Sequence, residues 1–274
     1  MTKDPAFAES RAKDILNIVK AGKYLDTNGK EYLVQNDIKF AIENTKFISE
    51  YEAGVFPLKL NKDPDGPTFS VTDESAVAAI RRLSKTSSGS VLALNFASPK
   101  NPGGGFLRGA VAQEEDLCRS SCLYSVLTPQ KKFYEYHQFV GSAGTGNLLY
   151  SPNVVFFKDE NQVNVEPYYA SIITCAAPNI SNQPEAKESE VVKQMLKDRI
   201  RAVLRTANNF GHTHLVLGAW GAGVFGNSPT LVAELFEQEL LWTFQCCFDS
   251  VTFAVLDKSF NKTNFSIFDK QFNS

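Results

Sequence analysis

Apolar segments of strand length alternate with amphipathic helical segments along most of this chain. The strand-like segments span residues 68–72, 90–97, 153–157, 171–176, 213–219 and 250–256. The segment SVLALNFA at 90–97 is almost continuously apolar, which is typical of a central strand covered on both faces of its sheet. Strands alternating with helices predict an α/β fold with helices packed on both sides of one sheet.

The helical segments have recognisable ends. Asp4 and Pro5 predict the start of a first helix over residues 5–21, which ends before Gly22. Further helices are predicted to open at Asp73, to run over 113–127 and 185–209, to follow Ser228, and to dock as an aromatic-rich terminal helix within 260–272. With no repeat or interdomain linker, we expect a single domain over residues 1–274, with residues 1–60 as an N-terminal extension packed on the core.

The charge balance argues against partners that are bound by a general electrostatic field. The 274 residues carry a formal net charge of -2, so we expect no DNA partner and no membrane partner, and an anionic ligand must be held locally. No apolar run reaches the roughly 18 residues of a membrane span, and no secretory signal is present. We expect a cytoplasmic monomer, while delivery into another cell by a specialised secretion system stays open.

Cysteine and histidine usage gives no indication of a metal site. The five cysteines contain no C-x-x-C pair, so they predict buried, reduced thiols rather than a disulfide framework or a zinc site. His212 and His214 flank one residue, a spacing that can bind metal, but no acid or cysteine cluster accompanies them. A surface or packing role is the favoured interpretation for both histidines.

Two glycine-rich loops follow predicted strands. Gly103, Gly104 and Gly105 come after the segment at 90–97, and G-x-G-x-x-G at 221–226 comes before the helix that Ser228 caps. Carboxyl ends of strands are where α/β proteins bind ligands, and glycine-loop amides beside a helix N-terminus attract anions. The two loops predict an extended ligand with a diphosphate. A nicotinamide-dependent oxidoreductase is disfavoured, because only one crossover fits after Gly226.

An acidic pair, Glu114 and Glu115, lies at a predicted helix start just after the first glycine loop. Such acids are often ordinary partners of the helix dipole. Beside a bound sugar, however, a shielded carboxyl has a raised pKa and can protonate a leaving oxygen or nitrogen. Adjacent residues fit poorly the separation of about 5 to 9.5 Å between the two carboxyls of ordinary glycosidases. A single acid/base assisted by the ligand's own phosphate is the simpler hypothesis.

The segments NFASPKNPGGGFLRGAVAQEEDLCR, from Asn95, and GAWGAGVFGNSP, from Gly218, resemble the bacterial-type poly(ADP-ribose) glycohydrolases of the macrodomain superfamily. The resemblance implies a macrodomain-like three-layer α/β/α fold with a mixed central sheet, and binding of ADP-ribose. It implies hydrolysis of the ribose glycosidic bond of poly(ADP-ribose) or of mono-ADP-ribosylated protein, including ADP-ribosylarginine, with release of ADP-ribose. It implies no metal and no other cofactor. A non-catalytic ADP-ribose reader is the alternative, although a reader would not need the intact acidic pair.

The resemblance also assigns site residues. It implies that Glu115 is the catalytic acid/base and that Glu114 positions the ribose. It implies diphosphate binding by both glycine loops, packing of Phe225 on the distal ribose and a sugar contact from Asn101. The complete set of expected substrate-binding residues is Asn101, Gly103, Gly104, Gly105, Gln113, Gly221, Ala222, Gly223, Val224, Phe225, Gly226 and Asn227.

Two departures from the family pattern bear on the substrate. Arg108 stands where a small residue is expected, and CAAPN at 175–179 replaces an expected SPAPN. An arginine near the cleft mouth can change which acceptor enters, for instance in favour of a mono-ADP-ribosyl side chain over a polymer end.

Overall fold

The computed structural model describes residues 5–60, 66–87, 89–141 and 143–273. Within those ranges the chain forms a two-stranded sheet and a seven-stranded mixed sheet. The strands are β1 (Lys23–Leu25), β2 (Glu31–Leu33), β3 (Lys46–Ile48), β4 (Thr68–Thr72), β5 (Val91–Phe96), β6 (Leu148–Lys158), β7 (Asn164–Cys175), β8 (His214–Leu217) and β9 (Ser250–Ala254).

The large sheet has the order β3-β6-β7-β5-β8-β9-β4. Strands β3, β6 and β7 pair antiparallel, whereas β7, β5, β8, β9 and β4 pair parallel. Strand β5 is the fourth of the seven, and its first five residues are fully or almost fully buried. The predicted central strand is therefore confirmed. The first glycine loop follows the carboxyl end of this strand.

The helices connect these strands. They are α1 (Pro5–Ala21), α2 (Gln35–Asn44), α3 (Glu50–Val55), α4 (Ala76–Thr86), α5 (Gln113–Ser120), α6 (Leu123–Leu127), α7 (Lys131–Phe139), α8 (Glu190–Asn209), α9 (Pro229–Gln238) and α10 (Thr263–Phe272). Short 3-10 turns occupy Phe106–Arg108 and Pro184–Ala186, and a π-helical turn at Glu239–Thr243 extends α9. None of the described helices is long and apolar enough to cross a membrane.

The helices bury two apolar clusters, one on each face of the sheet. One cluster includes Leu196 of α8 and Leu235 of α9. The other includes Ile15 of α1, Val77 of α4 and Leu117 of α5. The three-layer α/β/α fold is confirmed. Because α1 shares its cluster with α4 and α5, the N-terminal segment packs on the core; the division at residue 60 stays a prediction.

Several helices begin or end at residues other than those predicted, in most cases because a serine side chain caps the helix. The helix predicted to open at Asp73 begins at Ala76, because the Ser75 hydroxyl accepts the amide of Ala78 at 3.2 Å. The helix predicted from residue 185 begins at Glu190, behind the Ser189 cap. The predicted helix over 113–127 is two helices, because Ser121 adopts extended backbone and pairs with Phe156. Strand β3 was not predicted, since three residues carry no usable periodicity.

His212 is buried and His214 is partly buried, in agreement with the predicted surface or packing role. His212 Nδ1 lies 2.8 Å from Ser90 Oγ and its Nε2 lies 2.9 Å from the Tyr150 hydroxyl. Burial lowers the pKa of His212 to about 4, so the ring is neutral near pH 7. His214 Nδ1 lies 2.8 Å from Ser250 Oγ.

The terminal helix is confirmed as well. Helix α10 docks through Phe268, which is fully buried and whose ring centroid lies 5.3 Å from that of Phe253 in β9.

Candidate active site

A cavity of about 480 Å³ opens at the carboxyl edge of the parallel strands. This volume is within the range of small-molecule sites, and the carboxyl edge is where α/β sheets bind ligands. The described residues that line it are Glu74, Ser75, Ala76, Phe96, Ser98, Val111, Ala112, Gln113, Glu114, Glu115, Asp116, Ala177, Ala219, Trp220, Gly221, Gly223, Val224, Phe225, Ala254, Val255, Leu256, Asp257, Lys258 and Asn264.

Glu114 lies on the cavity wall in the first turn of α5, and 3% of its surface is exposed. Its Oε2 accepts the amide of Ser98 at 2.7 Å, and its Oε1 accepts Nδ2 of Asn95 at 3.3 Å. Asn95 is itself fully buried in β5 and also donates to Thr174 Oγ1. Strand β5 and the turn after it therefore fix the orientation of this carboxyl group.

Glu114 is neutral near pH 7. Burial raises its pKa from the ordinary value of 4.5 to about 8, and the neighbouring charge of Glu115 raises it further. The hydrogen bonds from Ser98 and Asn95 oppose that shift, because they favour the carboxylate, but burial dominates. A neutral carboxyl can donate a hydrogen bond into the cavity.

Glu115 points in a different direction and is bound by two amides. Its Oε1 accepts the amide of Gly105 at 2.7 Å, and its Oε2 accepts the amide of Ala112 at 3.0 Å. Ala112 is the residue before α5, so the second bond is half of a capping box. The carboxylate lies on the cavity wall and is 6% exposed. The two acids therefore diverge, as expected for adjacent positions on a helix.

The first glycine loop binds the acids instead of opening its amides to the cavity. The Gly104 amide donates to the Asn101 carbonyl at 2.9 Å, and the Gly105 amide is taken by Glu115. Gly103, Gly104 and Gly105 are outside the cavity lining, and so is Asn101, which is exposed. In this structure the loop supports the acidic pair, and its expected contact with a diphosphate stays a prediction.

The second glycine loop does line the cavity, through Gly221, Gly223, Val224 and Phe225. It precedes α9, whose cap Ser228 accepts the amide of Leu231. Loop amides beside a helix N-terminus form the arrangement that holds phosphates.

The end of this loop is buried at Asn227. Asn227 is 1% exposed, and its Nδ2 donates to the carbonyls of Pro178 at 2.8 Å and Gly221 at 3.1 Å. Ala222, Gly226 and Asn227 are outside the lining. Asn227 therefore links the second glycine loop to the segment at Pro178 by hydrogen bonds. A direct contact between Asn227 and the ligand stays a prediction.

Gln113 lines the cavity but is fully engaged with the sheet. Its Oε1 accepts the amide of Phe96 at 2.9 Å, and its Nε2 donates to the Leu94 carbonyl at 2.8 Å. This pair of bonds fixes the start of α5 on β5, which places the acidic pair at the strand end.

One wall of the cavity was not predicted from the sequence. That wall is formed by residues 74–76, which begin α4, and by residues 254–258, which follow β9. Strands β4 and β9 are parallel neighbours, so both carboxyl ends reach the same edge. The signal that could have found them is a polar turn after each predicted strand.

Metal-binding residues do not gather at this site. Across the described parts of the chain, no group of three or more His, Cys, Asp or Glu side chains is arranged to hold a metal ion.

The chain matches one protein family and several solved structures. Residues 12–159 match the family described as microbial-type PARG, catalytic domain. The poly(ADP-ribose) glycohydrolase of Thermomonospora curvata is 35% identical, with a TM-score of 0.94 over 97% of this chain and 100% of that chain. The structure of that enzyme bound to the inhibitor ADP-HPD gives 35% identity and a TM-score of 0.91, with the same coverage.

A second organism gives the same result. The poly(ADP-ribose) glycohydrolase of Deinococcus radiodurans in complex with ADP-ribose is 38% identical, with a TM-score of 0.79 over 86% of this chain and 96% of that chain. The comparison with curated proteins found no match. Identity above a third over almost the full length, together with the family match, confirms the resemblance carried by the glycine loops and the acidic pair. The chain belongs to the microbial-type PARG catalytic domain family.

Proposed function

We propose that the chain hydrolyses the ribose glycosidic bond of poly(ADP-ribose) and releases ADP-ribose, with Glu115 as the acid/base. The observation that carries this proposal is the position of Glu115. Its carboxyl group is fixed by the amides of Gly105 and Ala112 on the wall of a cavity that is also lined by the second glycine loop. The relatives named above are poly(ADP-ribose) glycohydrolases, and one of them is bound to ADP-ribose.

The cavity offers complementary surfaces to an ADP-ribosyl unit. The amides at Gly221 and Gly223 and the N-terminus of α9 favour its diphosphate. The distal ribose then reaches the acidic pair, with Phe225 beside it. Trp220, which is fully buried below the loop, contributes to the floor.

Glu115 supplies the proton transfers. In its protonated form it donates a proton to the leaving oxygen as the bond from the anomeric carbon to that oxygen breaks. Water then attacks the anomeric carbon and gives its proton to the Glu115 carboxylate, which restores the acid. The amides of Gly105 and Ala112 stabilise the negative charge that Glu115 carries between the two transfers.

Glu114 positions the sugar. Because it is neutral near pH 7, its O–H can donate to a ribose hydroxyl while its other oxygen keeps the bond from Ser98. A neutral Glu114 adds no second negative charge beside Glu115 while Glu115 is deprotonated between the two transfers.

The test compares Glu115→Ala, Glu115→Gln and the exposed control Glu135→Gln. Each is incubated with automodified polymerase and, separately, with an arginine-modified protein. We expect both Glu115 variants to lose at least about 100-fold in ADP-ribose release, since general acid–base catalysis contributes about that much or more. The Glu135 variant should retain full activity.

Three outcomes would contradict the proposal. Release that survives Glu115→Ala removes the assigned acid/base. ADP-ribose binding by the wild-type protein without release indicates a reader. Tight binding of NAD or NADP in a calorimetric titration, without ADP-ribose binding, indicates an oxidoreductase.

Four further properties of the protein also stay predictions. They are activity on a single arginine-linked ADP-ribosyl group, a monomeric state, no DNA partner and a cytoplasmic location. The arginine-modified arm of the assay measures the first, and light scattering with a DNA titration measures the second and third.

A further inference from the structure

An exposed loop rises from the cavity mouth beside Glu115. It spans residues 105–112, and the amides at its two ends, Gly105 and Ala112, both donate to the Glu115 carboxylate. Between those ends, Leu107 is 50% exposed and Val111 is 49% exposed, and Arg108 is exposed as well. Val111 also lines the cavity. The backbone of this loop therefore contacts the proposed acid/base at both ends, and of its exposed side chains Val111 reaches the cavity while Leu107 and Arg108 lie just outside the lining.

The loop is held in place from below. Arg119, which is 3% exposed, donates through Nη1 to the Ala110 carbonyl at 2.6 Å. The Ala110 amide returns to the Gly105 carbonyl at 3.2 Å, and Phe106 is buried against Tyr124 with a centroid distance of 4.8 Å. The backbone of the loop is therefore anchored at its ends, at Ala110 and at Phe106, and its outer side chains extend from that fixed backbone.

Arg108 brings an uncommitted charge to this position. Among the residues that the structure describes, none forms an ion pair or a side-chain hydrogen bond with its guanidinium group. A guanidinium group binds phosphate oxygens in pairs and also stacks on aromatic faces. With apolar Leu107 and Val111 on either side, the loop offers both an anion contact and an apolar platform.

We propose that Leu107, Arg108 and Val111 form a leaving-group subsite for the next ADP-ribose unit of the polymer. The inference rests on the proposed function. The bond to be cut joins the ribose anomeric carbon to a ribose hydroxyl of the adjoining unit, so that unit's adenine and diphosphate lie just beyond Glu115. The adenine packs on Leu107 and Val111, and the diphosphate pairs with Arg108.

This subsite discriminates between leaving groups by charge. A polymer remainder carries phosphates, which Arg108 attracts, whereas an arginine side chain as leaving group is cationic and is repelled. The departure from the family pattern at Arg108 therefore favours the polymer, in contrast to the preference for a mono-ADP-ribosyl side chain suggested in the sequence analysis.

The test measures kcat/KM of Arg108→Ala on poly(ADP-ribose) and on an arginine-linked mono-ADP-ribosyl protein. We expect a loss of about tenfold on the polymer that shrinks as salt rises, because an exposed charge contact is screened. On the mono-ADP-ribosyl protein we expect no loss, and the Kd for free ADP-ribose should be unchanged. Arg108→Lys should retain part of the polymer activity.

The matched control is Lys85→Ala, which removes an exposed positive charge at the opposite end of α4 from the cavity. It should leave both substrates unaffected. An unchanged kcat/KM on the polymer for Arg108→Ala, or equal losses on the two substrates, would overturn the subsite.

The wild-type arm separates the two proposals. If the wild-type protein releases no ADP-ribose from the polymer, the proposed function fails and the subsite fails with it. If the wild-type protein is active, Glu115→Ala is inactive and Arg108→Ala equals wild type, only the subsite fails.

Discussion

The Gly105 amide donates to Glu115 Oε1 across 2.7 Å, and this contact explains why three glycines precede the acidic pair. A Cβ atom at Gly104 would lie 2.4 Å from the same Glu115 oxygen, and one at Gly105 would lie 2.6 Å from the Ala110 Cβ. Gly104 also has φ +59°, in the left-handed region that side chains disfavour. The loop can approach the carboxylate this closely only without side chains.

Gly104→Ala should therefore displace Glu115 and strain the loop. We expect a stability loss of at least about 1–2 kcal/mol from the left-handed backbone and a fall in kcat of roughly 100-fold from the misplaced acid. Urea unfolding and polymer hydrolysis measure the two effects. Gly54→Ala is the control, because its Cβ meets nothing within 4 Å on helix α3; it should be neutral or slightly stabilising. Wild-type activity in Gly104→Ala would contradict the assigned contact.

The raised pKa of Glu114 predicts a pH dependence of stability. The folded state keeps a proton that the unfolded state loses above a pKa of 4.5, and it keeps that proton until about 8. The contribution is therefore complete below about pH 4.5 and is lost as pH rises to about 8. Glu114→Gln should flatten this decline by an amount on the order of a few kcal/mol in the free energy of unfolding.

Asp116 provides the comparison for that experiment. Burial raises its pKa from 3.8 to about 6, against the opposing charge of Arg119. Asp116→Asn should flatten the decline between those two values and leave the range from about pH 6 to about 8 unchanged. Denaturant unfolding across the whole range distinguishes the two variants, and parallel curves for wild type and Glu114→Gln would refute the assignment.

Asn227 should affect ligand binding through loop position. Asn227→Ala removes the hydrogen bonds that join the carbonyls of Pro178 and Gly221. We expect a stability loss of about 1–3 kcal/mol from the unpaired carbonyls, together with weaker ADP-ribose binding by calorimetry.

Asn208→Ala is a matched control for that variant. Asn208 is also buried and also bridges two segments, through the amide and the carbonyl of Lys59, but it lies away from the cavity. It should lose similar stability and keep the wild-type Kd for ADP-ribose. Equal effects of the two variants on Kd would show that Asn227 has no specific role at the site.

The thiols should differ sharply in reactivity. Cys118, Cys122 and Cys175 are fully buried, and burial raises the pKa values of Cys122 and Cys175 to about 12. Cys246 is the partly exposed cysteine. We expect one rapidly labelled thiol in the native protein, abolished by Cys246→Ser, with the others reacting only as the chain unfolds. Rapid modification of Cys118, located by mass spectrometry, would be inconsistent with this packing.

Local sequence patterns predicted the elements that their own residues determine. The apolar segment at 90–97 marks β5 as central, and Ser228 followed by Pro229 marks the start of α9. The acidic pair and the second glycine loop could be assigned to one site because both follow buried strands of the same sheet.

The remaining features depend on residues far apart in the chain. Gln113 is hydrogen-bonded to the backbone of β5, and Asn95 in β5 donates a hydrogen bond to Glu114. No local sequence pattern predicts either contact. The cavity wall after β9 required the strand order, because β4 and β9 pair across more than half of the chain. The role of the first glycine loop also required the structure, since a glycine run alone does not say whether its amides face a ligand or a carboxylate.

The bonds from Gly105 and Ala112 give Glu115 a structural role in the cavity rim in addition to its proposed role as acid/base. Shortening this side chain to silence the enzyme would therefore not give an inert replica of it. The amides of Gly105 and Ala112 would lose their hydrogen-bond acceptor at the cavity mouth. Small anions from the buffer could then bind there in place of the missing carboxylate. Inactive forms intended to trap a polymer are better made by changes that keep an acceptor at this position.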